Sequence, residues 1–345
     1  MTLLTTHNPI RPLPEGTASE LMRIFIDQDT DALLVGACLA LLAQRVPEAH
    51  ELAAFADALS EVAVPFPAVP AGAIDVVGTG GDGASTANLS TLSALLLPHL
   101  GVPVVKHGNR AATGVCGSAD LMEALGYDLS RAVSDLTQDL ERRNFAFLFA
   151  PAFHPLLGRL REIRRRLGIP TIFNLLGPLL NPGLPPLQVL GVAREDLLVP
   201  MAGALARRKT LRRAFVIHGK DAEGKGLDEA SIEGPTLVVA VAGGQVGPPQ
   251  VLVPRELGLA PPPRHALRVV DRAEALTVAR GLFGGAAHAD FRPPVADAVA
   301  LQSALGLLLH RNLGLEQLAS VLREVRARLD QGFGLPFSHP SEERP

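Results

Sequence analysis

Residues 75–93 decide the fold, and they read Asp-Val-Val-Gly-Thr-Gly-Gly-Asp-Gly-Ala-Ser-Thr-Ala-Asn-Leu-Ser-Thr-Leu-Ser. A short apolar strand leads into a glycine-rich turn, and Asn88, Ser90 and Thr91 then begin a helix. Glycines let backbone N–H groups approach a phosphate without an intervening Cβ, and the first N–H groups of a helix attract negative charge. The stretch favours a polyphosphate ligand, although alone it is also typical of an ordinary strand-to-helix turn.

A second strand–loop–helix unit follows directly. Residues 102–105 are an apolar strand, residues 106–110 read Lys-His-Gly-Asn-Arg, and residues 117–120 begin an amphipathic segment. Successive units of this kind place their loops at one edge of a parallel sheet. We therefore expect cations, amides and hydroxyls from both units to lie close together.

Composition limits the class of protein. The 345 residues carry a net charge of −3 and only two cysteines, so a general nucleic-acid coat, a disulfide framework and a cysteine metal cage are not expected. Cys38 lies in an apolar helical run and is predicted to pack in a core. Residues 1–11 lack a secretory pattern and no apolar stretch is long enough to span a membrane, which predicts a soluble cytoplasmic protein.

The first 65 or so residues contain three helical patterns and no clear strand. The first pattern has a predicted capping box at Thr17 and Glu20. The second, residues 31–44, is apolar nearly all round, which is typical of a helix buried against partners or in a dimer contact. The third covers residues 47–62, and the proline-rich residues 64–70 read as a linker.

Beyond the linker, short β-rich runs alternate with helical patterns. This alternation predicts an α/β fold, with a central mostly parallel sheet under helical cover. A hairpin is expected over residues 236–246, turning at Gly243 and Gly244. The predicted strands are residues 74–77, 102–105, 145–149, 187–192 and 214–217, and the last two predicted helices are residues 295–310 and 315–329.

Two charged clusters have a functional and a plain interpretation. Asp228 and Glu229 follow a glycine-containing loop; beside a phosphate loop they suit Mg²⁺ shared with a pyrophosphate, with the Ser90 hydroxyl as a further ligand. Such acidic pairs are otherwise solvated surface charge. Five arginines crowd one short helical stretch, where most would solvate its outer face: Arg159, Arg161, Arg164, Arg165 and Arg166.

Several motifs in one order resemble the anthranilate phosphoribosyltransferases of tryptophan biosynthesis, over roughly residues 15–310. The motifs are Gly78-Thr-Gly-Gly-Asp-Gly83, Asn88-Leu-Ser-Thr91, Lys106-His-Gly-Asn-Arg110, Gly117-Ser-Ala-Asp120, Thr171-Ile-Phe-Asn-Leu-Leu-Gly-Pro178, Asn181-Pro182 and Leu227-Asp-Glu229. The resemblance implies transfer of phosphoribose from 5-phosphoribosyl-1-pyrophosphate (PRPP) to anthranilate, with release of pyrophosphate. The chain departs from the family pattern at Pro170, at Val115 and Cys116, and at Gln302.

The resemblance also implies an organisation. A small helical domain would comprise residues 1–68 and a returning segment, residues 155–182. A large α/β domain that binds PRPP would comprise residues 69–154 and 183–335. Independently of the resemblance, residues 336–345 are expected to form a disordered tail, because chain ends are often disordered. Homodimers would form through the small domain, Mg²⁺ would number two ions per subunit, and neither nucleic acid nor membrane would be a partner.

The site residues implied by the resemblance fall into four groups. Lys106, Arg164, Asp228 and Glu229 are expected to be catalytic, and Ser90, Asp228 and Glu229 to bind metal. PRPP would be bound by Gly78, Thr79, Gly80, Gly81, Asp82, Gly83, Thr86, Asn88, Ser90, Thr91, Lys106 and Ser118. Anthranilate would be bound by Gly78, His107, Asn109, His154, Gly177, Pro178 and Arg164, the last through its carboxylate.

Three alternatives stay open. A divergent paralogue could use PRPP with another aromatic amine, because Arg164 fits any acceptor that bears a carboxylate. A pyrimidine nucleoside phosphorylase shares the architecture but has a further C-terminal domain and different loops. A non-catalytic relative that binds nucleic acid would rest only on the arginine cluster, and such a relative is expected to have lost the phosphate loop and the acidic pair.

Overall fold

An eight-stranded mixed sheet forms the centre of the computed structural model, which describes residues 9–14, 16–111, 115–335 and 337. The strand order is β3-β2-β1-β4-β5-β7-β8, with β6 paired to β5; β1 to β5 run parallel, whereas β6, β7 and β8 are antiparallel to their neighbours. The strands are β1 (Ile74–Gly78), β2 (Val104–Gly108), β3 (Phe145–Phe149), β4 (Leu187–Gly191), β5 (Arg213–Lys220), β6 (Gly226–Leu227), β7 (Thr236–Ala242) and β8 (Gln245–Leu252). The predicted α/β class and the hairpin at Gly243 and Gly244 are confirmed.

Helices cover the sheet, because its parallel strands are apolar on both faces. Along β4, for example, Val189 joins one hydrophobic cluster and Leu190 joins another. The helices are α1 (Thr17–Ile26), α2 (Ala32–Leu42), α3 (Ala49–Ser60), α4 (Leu89–Leu96), α5 (Ser118–Ala124), α6 (Val133–Arg143), α7 (Ala150–Phe153), α8 (Leu157–Leu167), α9 (Phe173–Leu176), α10 (Leu198–Arg207), α11 (Arg272–Gly284), α12 (Pro293–His310) and α13 (Leu318–Asp330).

The first helix begins one position away from its predicted cap. Gly16 is the N-cap of α1 and adopts a left-handed conformation with φ 87°, so Thr17 already lies inside the helix. The Thr17 N–H donates to the Pro14 carbonyl at 3.1 Å. The capping box predicted at Thr17 and Glu20 is therefore wrong, because a glycine supplies the turn that the Thr17 side chain was expected to cap.

The N-terminal helices share a hydrophobic core with one face of the sheet. Leu52 and Phe55 of α3 belong to the same cluster as Leu160 of α8 and Val216 of β5. Cys38 is buried in this cluster, as predicted. The division into a small helical and a large α/β domain stays a prediction; the predicted tail falls outside the described residues except at Phe337, whose ring packs on Tyr127 at 5.0 Å.

The sheet order places the predicted site. β1 lies between β2 and β4, so the loops after these three parallel strands emerge at one edge. In open α/β sheets, ligands bind at the carboxyl ends of strands where the order reverses. In the described part of the chain, no helix is long and apolar enough to cross a membrane.

Candidate active site

The glycine-rich loop after β1 has a backbone that requires glycine. Gly80, Gly81 and Gly83 adopt φ of 70°, 84° and 68°, in the left-handed region that residues with a Cβ rarely enter. The Thr79 N–H donates to the Gly191 carbonyl on β4 at 2.9 Å, which anchors the loop to the sheet. The Asp82 carboxylate accepts a hydrogen bond from the Ala84 N–H at 2.9 Å, which closes the turn.

Helix α4 begins at Leu89, with Asn88 as its N-cap in a left-handed conformation at φ 37°. The Asn88 side-chain amide donates to the Cys116 carbonyl at 2.9 Å, so this contact depends on the backbone of Cys116 and not on its thiol. Asn88 Oδ1 and Thr91 Oγ1 are buried and have no hydrogen-bond partner in the described part of the chain. Buried polar atoms are normally paired, so two unpaired ones beside the loop indicate a ligand position.

Two glycines make the seat for Asp228. Gly78 and Gly191 are register partners at the ends of β1 and β4. A Cβ on Gly78 would lie 2.0 Å from Asp228 Oδ2, and one on Gly191 would lie 1.6 Å from the Asp228 carbonyl oxygen. Only glycine at both positions lets the acidic pair reach the edge of the sheet; sequence analysis did not identify Gly191.

The acidic pair, Asp228 and Glu229, contacts the glycine-rich loop and the start of α4 directly. The Gly80 N–H donates to Asp228 Oδ2 at 2.6 Å. Glu229 accepts from the Thr86 hydroxyl at 3.0 Å and from the Ser90 N–H at 3.1 Å. The structure thus brings together Gly80, Thr86, Ser90, Asp228 and Glu229, as the motifs predicted, although Ser90 meets Glu229 through its backbone.

Ionisation of this pair is opposed by its surroundings. Burial raises the pKa of Asp228 well above its ordinary value, and the negative charges of Asp82 and Glu229 raise it further. Burial, followed by the charge of Asp82, raises the pKa of Glu229 to about 7, although the hydrogen bonds from Ser90 and Thr86 act in the opposite direction. Three carboxylates that repel one another at a phosphate loop are a chemical fit for a cation.

The donor set suits Mg²⁺ held together with a phosphate. In the described residues, no group of three or more His, Cys, Asp and Glu side chains is arranged to hold a metal by itself. Mg²⁺ typically takes one or two carboxylates, substrate phosphate oxygens and waters instead of an all-protein cage. Asp228 and Glu229 match that requirement, and a bound cation would relieve their repulsion.

Lys106 lies on β2 and is buried, with 2% of the residue exposed. The loop predicted to begin at Lys106 begins later, because β2 continues to Gly108. The Lys106 ammonium group donates to the Val76 carbonyl at 2.6 Å. Burial lowers its pKa, and the negative charges of Asp75 and Glu229 oppose that effect. The predicted catalytic lysine therefore lies between strand β1 and the acidic pair.

Two histidines line the predicted acceptor side. The rings of His107 and His154 are 5.3 Å apart at 68°. His107 bonds the Gly177 carbonyl, and His154 Nε2 lies 2.9 Å from the Leu180 carbonyl oxygen. Both histidines thus hold the segment that contains Pro178.

His107 is neutral at physiological pH. Burial, followed by the charge of His154, lowers its pKa to about 3. His107 Nε2 is buried without a hydrogen-bond partner in the described residues. Because the bond to the Gly177 carbonyl requires an N–H, Nδ1 carries the proton and Nε2 is left as an acceptor.

Asn109 and Ser118 meet at the mouth of the second loop. The Ser118 hydroxyl donates to the Asn109 carbonyl at 3.2 Å and accepts from the Asn109 N–H at the same distance. Gly108 permits this approach, because a Cβ there would lie 2.3 Å from Ser118 Oγ. Asn109, predicted to bind anthranilate, and Ser118, predicted to bind PRPP, are therefore in contact.

Arg164 lies in α8, near its carboxyl end. It donates to the Asn174 side-chain oxygen at 3.2 Å, and its guanidinium lies 5.5 Å from the Phe173 ring centroid. Burial, followed by the charge of Arg161, lowers its pKa. These contacts are to Phe173 and Asn174, whereas the two histidines contact Gly177 and Leu180.

Two glutamines hydrogen-bond to the backbone next to predicted site residues, a role that sequence analysis did not identify. Gln302 Oε1 accepts from the Ala230 N–H at 3.0 Å, beside Glu229. Gln188 donates to the Pro178 carbonyl at 2.6 Å. The available signal was chemical: Gln188 is a polar residue within an apolar strand, and such residues need a reason.

Comparison with known proteins agrees with this geometry. Residues 71–335 match the family described as "Glycosyl transferase family, a/b domain". The anthranilate phosphoribosyltransferase of Parasynechococcus marenigrum is 42% identical over 324 residues, 93% of this chain and 89% of that protein.

Solved structures extend the likeness to the whole fold. The enzyme of that name from Thermus thermophilus has a TM-score of 0.84 and 38% identity, with 96% of each chain covered. The Saccharomyces cerevisiae enzyme in complex with PRPP and Mg has a TM-score of 0.80 and 26% identity, covering 96% of this chain and 94% of that one. On this fold, this site geometry and this identity, the chain belongs to the anthranilate phosphoribosyltransferase family.

Proposed function

We propose that the chain transfers phosphoribose from PRPP to the amino group of anthranilate, giving N-(5-phosphoribosyl)anthranilate and pyrophosphate. The observation that carries this proposal is the seat of Asp228 over Gly78 and Gly191, in hydrogen-bond contact with the phosphate loop. This geometry and the family membership together support a pyrophosphate-bearing donor.

The donor would lie at the carboxyl ends of β1 and β2. Left-handed glycines turn the loop, and Asn88 Oδ1 and Thr91 Oγ1 are unpaired among the described residues. The donor-binding residues we propose are Gly78, Thr79, Gly80, Gly81, Asp82, Gly83, Thr86, Asn88, Ser90, Thr91, Lys106 and Ser118. Departure of pyrophosphate develops negative charge, which Lys106 and the positive end of the α4 dipole would stabilise; the helix terminus contributes on the order of 0.3–1 kcal/mol.

Asp228 and Glu229, with the Ser90 hydroxyl, are the proposed ligands of Mg²⁺, two ions per subunit. The bound ions would supply neutralisation of the pyrophosphate charge. In the yeast relative, PRPP and Mg occur together. The mutual repulsion of the carboxylates supports this assignment, because their charge is best tolerated beside a cation.

Anthranilate would bind on the other side of Lys106, against Gly78, His107, Asn109, His154, Gly177, Pro178 and Arg164. Neutral His107 presents an acceptor at Nε2, which suits an amine N–H of the acceptor. Arg164 can grip a carboxylate through two parallel hydrogen bonds. The amine is already a free nucleophile, so the site orients it and needs no strong base.

We further infer a homodimer formed through the N-terminal helices. Leu33 of α2 is 80% exposed, and Ala37 follows it one helical turn later and is also exposed. An apolar face of this kind is typical of a covered contact. The helical segments would then form the small domain proposed from the sequence.

The test is the loss of anthranilate fluorescence when the purified protein is given PRPP, with and without Mg²⁺. Loss that depends on Mg²⁺ is expected. No loss, with calorimetry still detecting PRPP, would assign the site to another aromatic amine. No PRPP binding would overturn the proposal.

A further inference from the structure

A buried carboxylate with no role in the proposed reaction lies in strand β1. Asp75 is 0% exposed and lies between two core residues, Ile74 and Val76. A charged group costs free energy in such a position unless it is paired and hydrogen-bonded. The partners of Asp75 therefore indicate what the carboxylate does.

On one side, Asp75 holds the segment that carries the proposed acceptor residues. Asn181, three residues after Pro178, donates to Asp75 Oδ2 at 2.8 Å and to the Val105 carbonyl at 2.7 Å. Asn181 Oδ1 accepts from the Gly183 N–H at 2.9 Å. Asn181 thus ties its own segment to both β1 and β2.

A neighbouring contact acts on the same segment. Gln188 is the register partner of Asp75 on β4, and its side chain donates to the Pro178 carbonyl at 2.6 Å. Pro178 is therefore held from the strand beside Asp75, in parallel with the Asn181 contact.

On the other side, Asp75 lies next to Lys106 and His107 of β2. The His107 backbone and the Lys106 ammonium both favour the charged form of the Asp75 carboxylate. Lys106 also donates to the Val76 carbonyl, so both residues are fixed against β1. One carboxylate therefore contacts the strand end that carries the proposed donor lysine and the proposed acceptor histidine.

The stability of the folded chain does not account for this carboxylate. Burial raises the pKa of Asp75 to about 6, even though Lys106, Asn181, Arg208 and His107 all favour the charged form. Asp75 Oδ1 has no hydrogen-bond partner among the described residues. A neutral residue here would relieve the cost of burying charge, so we look for the reason in positioning.

We propose that Asp75 is a positioning residue for the transfer reaction, which holds residues 177–183 in register with Lys106 and His107. The inference rests on the proposed function. The inference predicts that loss of the Asp75 carboxylate weakens the binding of both PRPP and anthranilate, whereas loss of the Asn181 side chain mainly weakens the binding of anthranilate.

The experiment compares Asp75→Asn with Asn181→Ala, and with Glu51→Gln as a matched control. In Asp75→Asn the side chain keeps its size but loses the negative charge that attracts the Lys106 ammonium. Glu51 is also a fully buried, hydrogen-bonded carboxylate, but it belongs to α3 and contacts the segment at Leu13. Steady-state KM for each substrate, kcat and the thermal midpoint are measured for every variant.

We expect Asp75→Asn to raise KM for both substrates at least ~10-fold and to lower kcat. Asn181→Ala should raise KM for anthranilate well above its effect on KM for PRPP, and the double variant should fall short of the product of the single effects. Glu51→Gln should lower the thermal midpoint and leave both KM values unchanged.

Unchanged KM values in folded Asp75→Asn would overturn the inference. If that variant does not fold, equal effects of Asn181→Ala on both KM values, or none, would overturn it. A wild-type protein without Mg²⁺-dependent transfer would instead overturn the proposed function, and this inference with it.

Discussion

Asp228 and Glu229 are held in the folded chain against their own repulsion. The raised pKa values mean that their negative charges destabilise the metal-free fold at neutral pH. We predict that Asp228→Asn combined with Glu229→Gln abolishes Mg²⁺-dependent transfer, because the proposed metal ligands lose their charge. Anthranilate fluorescence measures the activity.

The same double variant separates function from folding. Its thermal midpoint without metal should equal or exceed that of the wild type, since the repulsion is removed. Retained Mg²⁺-dependent transfer would show that the metal is bound elsewhere.

Gly191 supports Asp228 without touching a substrate in the proposed site. Gly191→Ala should abolish or strongly reduce transfer, because its Cβ would lie 1.6 Å from the Asp228 carbonyl oxygen and must displace the acidic pair. The matched control is Gly158→Ala in α8, where no atom lies within 4 Å of the new Cβ. Gly158→Ala should therefore keep wild-type transfer. Wild-type activity in Gly191→Ala would contradict the conclusion that Gly191 makes room for Asp228.

Arg164 is predicted to recognise the acceptor carboxylate. Arg164→Ala should raise KM for anthranilate on the order of tenfold or more and change KM for PRPP much less, as expected from a lost contact worth about 1.5–3 kcal/mol with a charged group. Arg161→Ala, on the same helix and exposed, is the control. Equal effects of Arg164→Ala on both substrates would place this arginine outside the acceptor site.

At the scale of elements, the phosphate loop is closed by a distant segment. The Ala87 N–H donates to the Leu267 carbonyl and the Val269 N–H to the Ser85 carbonyl, each at 2.9 Å. Thr86, which donates to Glu229, lies between these two contacts. The proline-rich residues 248–264 are thus followed by a stretch that pairs with this loop, a contact that local sequence patterns do not encode.

The start of α3 is fixed by a buried ion pair. Glu51 accepts from the Leu13 N–H at 2.9 Å and the Glu48 N–H at 2.8 Å, and it pairs with Arg45. Burial alone would raise the pKa of Glu51, but the hydrogen bonds from Arg45, Glu48 and Leu13 outweigh it and leave the pKa below its ordinary value.

A group with a lowered folded pKa stabilises above its unfolded pKa, about 4.3 for Glu, and loses that stabilisation as the pH falls further. Glu51→Gln should therefore lower the free energy of unfolding by about 1–3 kcal/mol at pH 7. The difference from wild type should shrink below about pH 4.3, as urea titrations at several pH values would show. A difference that is constant down to pH 3 would contradict the pairing.

At the scale of the whole molecule, the exposed apolar face of α2 lies opposite the face that packs in the core. Leu33→Glu should convert the proposed dimer to a monomer, because the carboxylate cannot be buried without a partner. Light scattering after size exclusion measures the mass. Val251→Glu on strand β8, where the valine is 56% exposed, should leave the mass unchanged; a monomeric wild type would contradict the dimer.

The sequence by itself determined the α/β class, the main helices and strands, the glycine-rich loop, and the adjacent carboxylates Asp228 and Glu229. Each of these rests on a local signal: apolar periodicity, glycine spacing, or adjacent residues of one chemistry. The predicted cap at Thr17 was wrong, because the N-cap is Gly16. The sequence offers a capping side chain at Thr17 and a glycine turn at the residue before it, and local patterns do not decide between them.

Only the tertiary structure decided how distant residues combine. Gly191 and Gln302 support the acidic pair, and Asp75 reaches Asn181, through contacts 37 to 106 residues apart in the sequence. Such contacts arise when strands far apart in the chain become neighbours in the sheet, and no local pattern records that adjacency. The residues of the proposed site could therefore be predicted from the sequence, whereas the residues that hold them in place depend on how the strands pack in the sheet.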